Sequence, residues 1–306
     1  MVSTLLAGSV LLGCVWIYPE SPATTPPECR GFSALPASIT LVDEAHGVTL
    51  EESMRAEAEP LLRTQLFKPD PDVDRAFQLW SMRNVAYHLD RAIEFTKTEL
   101  KRNVQWRDLH VSLGNRTIGM STLSDGKIRL GGAHALTSEV IYHELGHHLV
   151  EWENPGVTAT RGTRDQNSAG YSIIEAYANH FAFVFDDEPR YAEYNQVRFG
   201  GNAKYSYTVK TTCSLKSCED LPSDVRPHFL HVVVFGALLW DLKEVMGGAA
   251  SLNLMLDSVR LLDVKSQLTH RSAVIALLGA DKKKFGGRNA AFIKARARER
   301  LGENMR

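Results

Sequence analysis

Apolar positions along this chain fall mostly at helical spacing, and strict alternation is confined to short stretches ahead of residue 137. No proline interrupts the segment from Asp74 to Arg102, where Val85, Leu89, Ala92, Thr96 and Leu100 recur every three or four residues and predict one long helix. Ahead of it, "ASITLVDEAHG" reads as a strand ending in a turn, and "KPDPDVD" as a linker. Between them "TLEESMRAEAEPLLRTQLF" reads as a helix capped by Thr49 with an acidic first turn. Leu109, Val111 and Leu113 alternate as in a strand, and "TIGMSTLSDGKIRLGG" sets Asp125-Gly126 between two strand-like runs, the turn chemistry of a tight hairpin. Beyond Leu136, helices are expected at 138–151, about 171–186, 224–246, 251–262, 270–279 and 288–301, with a loop from Glu153 to Gly170. The expected class is α+β: a small mixed α/β lobe at 31–136 with an edge strand, followed by a mainly helical lobe at 137–306.

Residues 1–30 fit neither lobe. The first nineteen carry no charged side chain, and their apolar stretch is short of the roughly 20 residues a membrane span needs, so a secretion signal is the expectation. "LLGC" resembles the lipobox of bacterial lipoproteins, which implies a lipid on Cys14 and an exported protein of the cell envelope, or a secreted one. No basic residue precedes Arg30, so the usual cationic start of such a signal is missing. "SPATTPPECR", from Ser21 to Arg30, reads as a flexible tether. Cys213 and Cys218 in "CSLKSC" are close enough to close a small disulfide loop, with two unbonded thiols as the alternative, and they lack the four ligands of a structural zinc.

Charge narrows the partners. Lys and Arg number 35 against 36 Asp and Glu, a net of -1, which provides no field to draw in nucleic acid. Basic runs such as "DKKKFGGR" and "KARARER" read as solvated faces, because a nucleic-acid role would need an aromatic platform that is absent.

The chemistry is concentrated in "SEVIYHELGHHLVEW". On a helix His143 and His147 lie on one face and can aim ring nitrogens at one ion, while Glu144, one residue round, can reach a water on that ion. Val140, Ile141, Leu145 and Leu149 are apolar, and Gly146 leaves room for another backbone. A catalytic zinc needs a third protein ligand. The extended HExxHxxGxxH pattern fails, since Val150 stands at its glycine and Glu153 at its last histidine. In "YSIIEAYANHFA", Glu175 and Asn179 are again four apart, with Ala178 and Ala182 small enough for close helix packing.

HExxH followed by a helix bearing Glu, with Asp or Asn four residues on, resembles the gluzincin metallopeptidases, thermolysin-like and fungalysin-like enzymes in particular. The resemblance spans roughly residues 80–300 and is closest at 138–182. It implies a zincin-like fold and a peptide or protein substrate, with zinc on His143, His147 and Glu175. It further makes Glu144 the general base and Asn179 the residue that orients His143. Two departures stand out. Asn179 replaces the commoner aspartate, which would lend His143 less basicity. The oxyanion donor, a histidine at the start of a later helix in that family, falls on neither His228 nor His231; His228, one residue off and near a helix start, is the choice, with Tyr171 as a second donor or a packing residue. The hairpin ending at "KIRLGG" offers a free edge to an extended peptide. The alternative function is a zinc-binding surface protein, weak or inactive in catalysis, that acts as a binding module.

Overall fold

The computed structural model describes residues 15–17, 28–30, 39–43, 49–55, 71–104, 106, 109–113, 121–124, 127–161, 168–191, 207–219, 221 and 226–304. The architecture is mixed and mainly helical, with a small sheet on its N-terminal side. Strand β1 (Val15–Ile17) pairs antiparallel with β2 (Glu28–Arg30) and lies against the long helix described below. The tether is therefore corrected at its end: Glu28–Arg30 satisfies its backbone groups in a ladder, with Arg30 opposite Val15. The lipobox cysteine Cys14 lies outside the described residues. No helix among the described residues is long and apolar enough to cross a membrane.

Four strands form the main sheet in the order β3, β4, β6, β5: Ile39–Asp43, Leu109–Leu113, Lys127–Leu130 and Ser121–Ser124. The first three run parallel, and a parallel link from β3 to β4 needs a crossover, which the chain makes through its longest helix. β5 folds back antiparallel on β6 with Ser124 facing Lys127, so two residues join them, as the Asp125-Gly126 signal predicts. The pairing places the hairpin's edge on its first strand. β6, the "KIRL" strand, is bonded on both sides, and β5 is the outer strand. Leu109, Val111 and Leu113 are fully buried, whereas β6 alternates exposed Lys127 and Arg129 with buried Ile128 and Leu130.

Helix α1 (Leu50–Arg55) begins as expected, Thr49 Oγ1 accepting the Glu52 N–H at 3.1 Å; the rest of its expected length lies outside the described residues. α2 runs Pro71–Thr98, so it starts inside the expected linker, with proline in the first turn where no N–H is missed. Its face of Val85, Leu89, Ala92 and Thr96 is buried. The remaining helices are α3 (Ser138–Glu153), α4 (Ala169–Asp186), α5 (Arg226–Met246), α6 (Gly248–Val259), α7 (His270–Phe285) and α8 (Ala290–Arg296), the last extended by one wider turn, Ala297–Leu301. A 3-10 turn at Val157–Arg161 occupies part of the expected 153–170 loop. α7 opens on a reciprocal cap, in which Thr269 Oγ1 accepts from Ser272 N–H and Ser272 Oγ accepts from Thr269 N–H. One apolar core runs from Val111 and Ile128 in the sheet through Tyr142 and Phe181 to Phe235 and Leu277, so the two expected lobes share it.

Two features bind the helices to one another. Glu153, fully buried at the end of α3, is held between Arg102 and Arg260, and Arg102 reaches on to Asn253 and Asp257 of α6. At the crossing of α3 and α4, a Cβ on Gly146 would stand 2.7 Å from the carbonyl oxygen of Ala178 and 2.8 Å from its Cα. Gly146→Ala is therefore expected to destabilise the protein by about 1–3 kcal/mol through forced separation of two backbones, although alanine is the better helix former. An unchanged midpoint in urea unfolding would show that the crossing relaxes freely.

Burial also sets an acid limit. His180, bonded to Ser251 at 3.2 Å, has its pKa pulled down to about 3 by burial and by Lys243; His270 is pulled down to about 4 by burial and by His231. Both are neutral when folded but take up a proton near 6.5 when unfolded, so the stability they support is present above pH 6.5 and is lost as the pH falls toward 4. Each loss is on the order of 2 kcal/mol at pH 5. A His270→Gln variant is expected to lose less stability than wild type between pH 7 and pH 5 in urea unfolding, and an identical loss refutes the assignment.

Candidate metal centre

α3 carries His143 and His147 one turn apart, and α4 carries Glu175 and Asn179 one turn apart. Because the helices touch at Gly146 and Ala178, the two pairs face each other across the crossing. His143 Nε2 lies 3.1 Å from His147 Nε2 and 3.4 Å from Glu175 Oε2, and His147 Nε2 lies 3.5 Å from that same oxygen. The two rings stand edge-on at 84° with centroids 4.6 Å apart, so both direct Nε2 into one space. Ligands about 2.0–2.2 Å from a four-coordinate ion stand roughly 3.3–3.6 Å apart, the edge of a tetrahedron of that radius. Two sides of the observed triangle fall in that range and the third, 3.1 Å, is slightly shorter, so these three side chains could hold a metal ion.

The polar surroundings suit that use. Asn179 Oδ1 lies 2.7 Å from His143 Nδ1, which makes Nδ1 the protonated nitrogen and leaves a lone pair on Nε2. Burial opposes charge on His143, yet the Glu175 carboxylate, the Glu144 charge and the Asn179 contact raise its pKa above the ordinary value. Burial likewise works against Glu175 as an anion, but His147 and His143 hold its carboxyl well below the usual carboxylate range. The cluster is thus built for a positive charge among its donor atoms. Glu144 is buried beside His143 and is not one of the three converging residues.

Glu153, where a different zinc motif would have its third histidine, is committed to Arg102 and Arg260. His228 lies in the first turn of α5, with its side chain outside the described residues. His231, half-buried, stacks on His270 with centroids 5.1 Å apart, its pKa lowered by burial. Tyr171 is partly buried in the first turn of α4, its N–H bonded to Ser168 Oγ at 3.3 Å. Cys213 and Cys218 form a disulfide.

One participant carries no sequence signal. Tyr207 accepts a hydrogen bond from Asn179 Nδ2 at 2.6 Å, and its hydroxyl pKa is driven well up by burial and by Glu175. It sits at no fixed spacing from the HExxH helix and reaches the site through a two-residue ladder, β7 (Arg190–Tyr191) with β8 (Tyr207–Thr208).

No family model matches this sequence, and no curated protein matches it at a significant level. The geometry generates its own test. Purified protein is expected to retain about one divalent metal ion per chain, and Glu175→Ala to lose affinity by more than the roughly 10–100-fold typical of removing a ligand's supporting partner. Metal content unaltered by that substitution would move the third ligand elsewhere.

Proposed function

We propose that this chain is a zinc-dependent metallopeptidase of the gluzincin type, with a zincin-like fold. The observation that carries the reading is the triangle of His143 Nε2, His147 Nε2 and Glu175 Oε2, with sides of 3.1, 3.4 and 3.5 Å. Two imidazoles and one carboxylate form a donor set typical of catalytic zinc, which keeps its fourth position for water. Bound there, zinc supplies Lewis acidity and lowers the pKa of a water to about 7.

The protein's part is proton handling and positioning. Glu144 takes the proton from the attacking water and delivers it to the leaving amine. Asn179 keeps His143 in the tautomer that ligates. His228, in the first turn of α5, is assigned as the donor to the developing oxyanion. β5 is one of the two outer strands of the sheet, with no further strand beside it among the described residues, and packs beside α3; an extended peptide added there would gain main-chain hydrogen bonds. The Cys213–Cys218 disulfide is in keeping with export to an oxidising compartment, with Cys14 as the proposed lipid attachment.

Glu144→Gln is expected to bind zinc as wild type does while peptide hydrolysis falls about 10²–10⁴-fold, since only proton transfer is removed. Casein or peptide-library digestion at equal zinc loading measures it. Undiminished cleavage by that variant would eliminate the mechanism.

A further inference from the structure

An aspartate at position 179 would offer His143 an oxygen whichever way it turned. Asparagine carries an oxygen at one end and an NH2 group at the other, in nearly the same shape. Oxygen toward His143 puts the proton on Nδ1 and leaves the Nε2 lone pair facing His147 and Glu175. The reverse orientation asks for the other tautomer, in which Nε2 carries the proton and cannot ligate.

We propose that Tyr207 is the positioning residue that selects the productive orientation: its hydroxyl oxygen accepts the Asn179 Nδ2–H and keeps the amide oxygen on His143. The inference rests on the metal-centre reading of the site. A tyrosine hydroxyl can also donate, so the direction of its proton matters. In the structure the Asn179 Nδ2–H donates to the Tyr207 oxygen at 2.6 Å, so the hydroxyl is the acceptor there and its own proton points elsewhere. A lone pair is then left for Nδ2.

Tyr207 is braced for this task from four directions. Tyr191 pairs with it in the β7–β8 ladder, directly after α4 ends at the left-handed Asp187. Its ring lies against Phe229 of α5 with centroids 5.5 Å apart. Val209 donates its N–H to Pro189 at 2.9 Å and fills the space over Gly236, where a Cβ would come within 2.8 Å of it. Further on, Arg300 holds the carbonyls of Thr211 and Cys213 at 3.0 and 3.1 Å, and the Cys213–Cys218 disulfide closes the loop.

The test uses the full chain with its disulfide intact, as wild type, Tyr207→Phe, Asn179→Asp and the double variant. Zinc affinity is read by competition with a chromophoric chelator, and the metal-free His143 tautomer by nitrogen-15 NMR. Tyr207→Phe retains a ring for Phe229 and removes the acceptor, so zinc binding is expected to weaken about tenfold. In the Asn179→Asp background, where both ends are oxygen, the same substitution is expected to have no effect on zinc binding. Equal affinity for wild type and Tyr207→Phe overturns the proposal, as does the same tenfold loss in the Asn179→Asp background. At a pH where the ring is neutral, the metal-free wild type is expected to show His143 protonated at Nδ1 and bare at Nε2, and the opposite tautomer overturns the proposal even if Tyr207→Phe does not fold. A wild-type chain that holds no zinc removes the metal centre itself, a result distinct from all of these.

Discussion

Where α3 crosses α4, the missing side chain of Gly146 sets how near two helix backbones come, and the site depends on that distance. His143 and His147 are one helical turn apart, as are Glu175 and Asn179, so the two helices can match turn for turn only when almost nothing lies between them. Ala178 fills the facing position, with its backbone where a Cβ of Gly146 would go. Glycine inside a helix costs about 1 kcal/mol relative to alanine. The cost is offset by bringing a carboxylate oxygen within 3.5 Å of two imidazole nitrogens.

Closeness alone would be unfavourable, since three buried donor atoms with lone pairs repel one another without a positive charge among them. Asn179 and Tyr207 leave His143 one way to place its proton, and the Glu175 carboxyl is kept ionised by the histidines. A cation bound among these atoms couples binding to folding, because an unfolded chain does not assemble the three ligands. The opposite end of α3 is pinned by a second buried charge cluster, Glu153 with Arg102 and Arg260, which ties it to α6 and the segment after α2. Arg300 does similar work on the far side, joining Asp241 of α5 to the carbonyls of Thr211 and Cys213. The site is thus gripped at both flanks by guanidinium groups that reach across elements.

Sheet order bears on the site for a comparable reason. β4 and β6 run parallel, and that pairing takes up the side of β6 that β5 leaves open. The outer strand of the hairpin is then β5, and both of its strands lie beside α3. Ser121–Ser124 therefore lies at one end of the sheet and Lys127–Leu130 inside it.

By itself the chain determined most of its helices to within a few residues, with α7 continuing to Phe285 instead of ending at 279, together with the hairpin at Asp125-Gly126, the Thr49 cap, and the spacing that sets His143 with His147, and Glu175 with Asn179, one turn apart. Each is a local pattern: a turn of 3.6 residues, an alternation of two, or a cap three positions ahead of its N–H. Tertiary structure alone decided that Tyr207 closes the chain of bonds behind His143, that Glu153 belongs to an ion cluster, that β5 is the outer strand, and that Glu28–Arg30 pairs instead of hanging loose. These depend on partners between 11 and 155 residues away in sequence. Periodicity carries which face a residue occupies on its own element, but not which distant residue that face will meet.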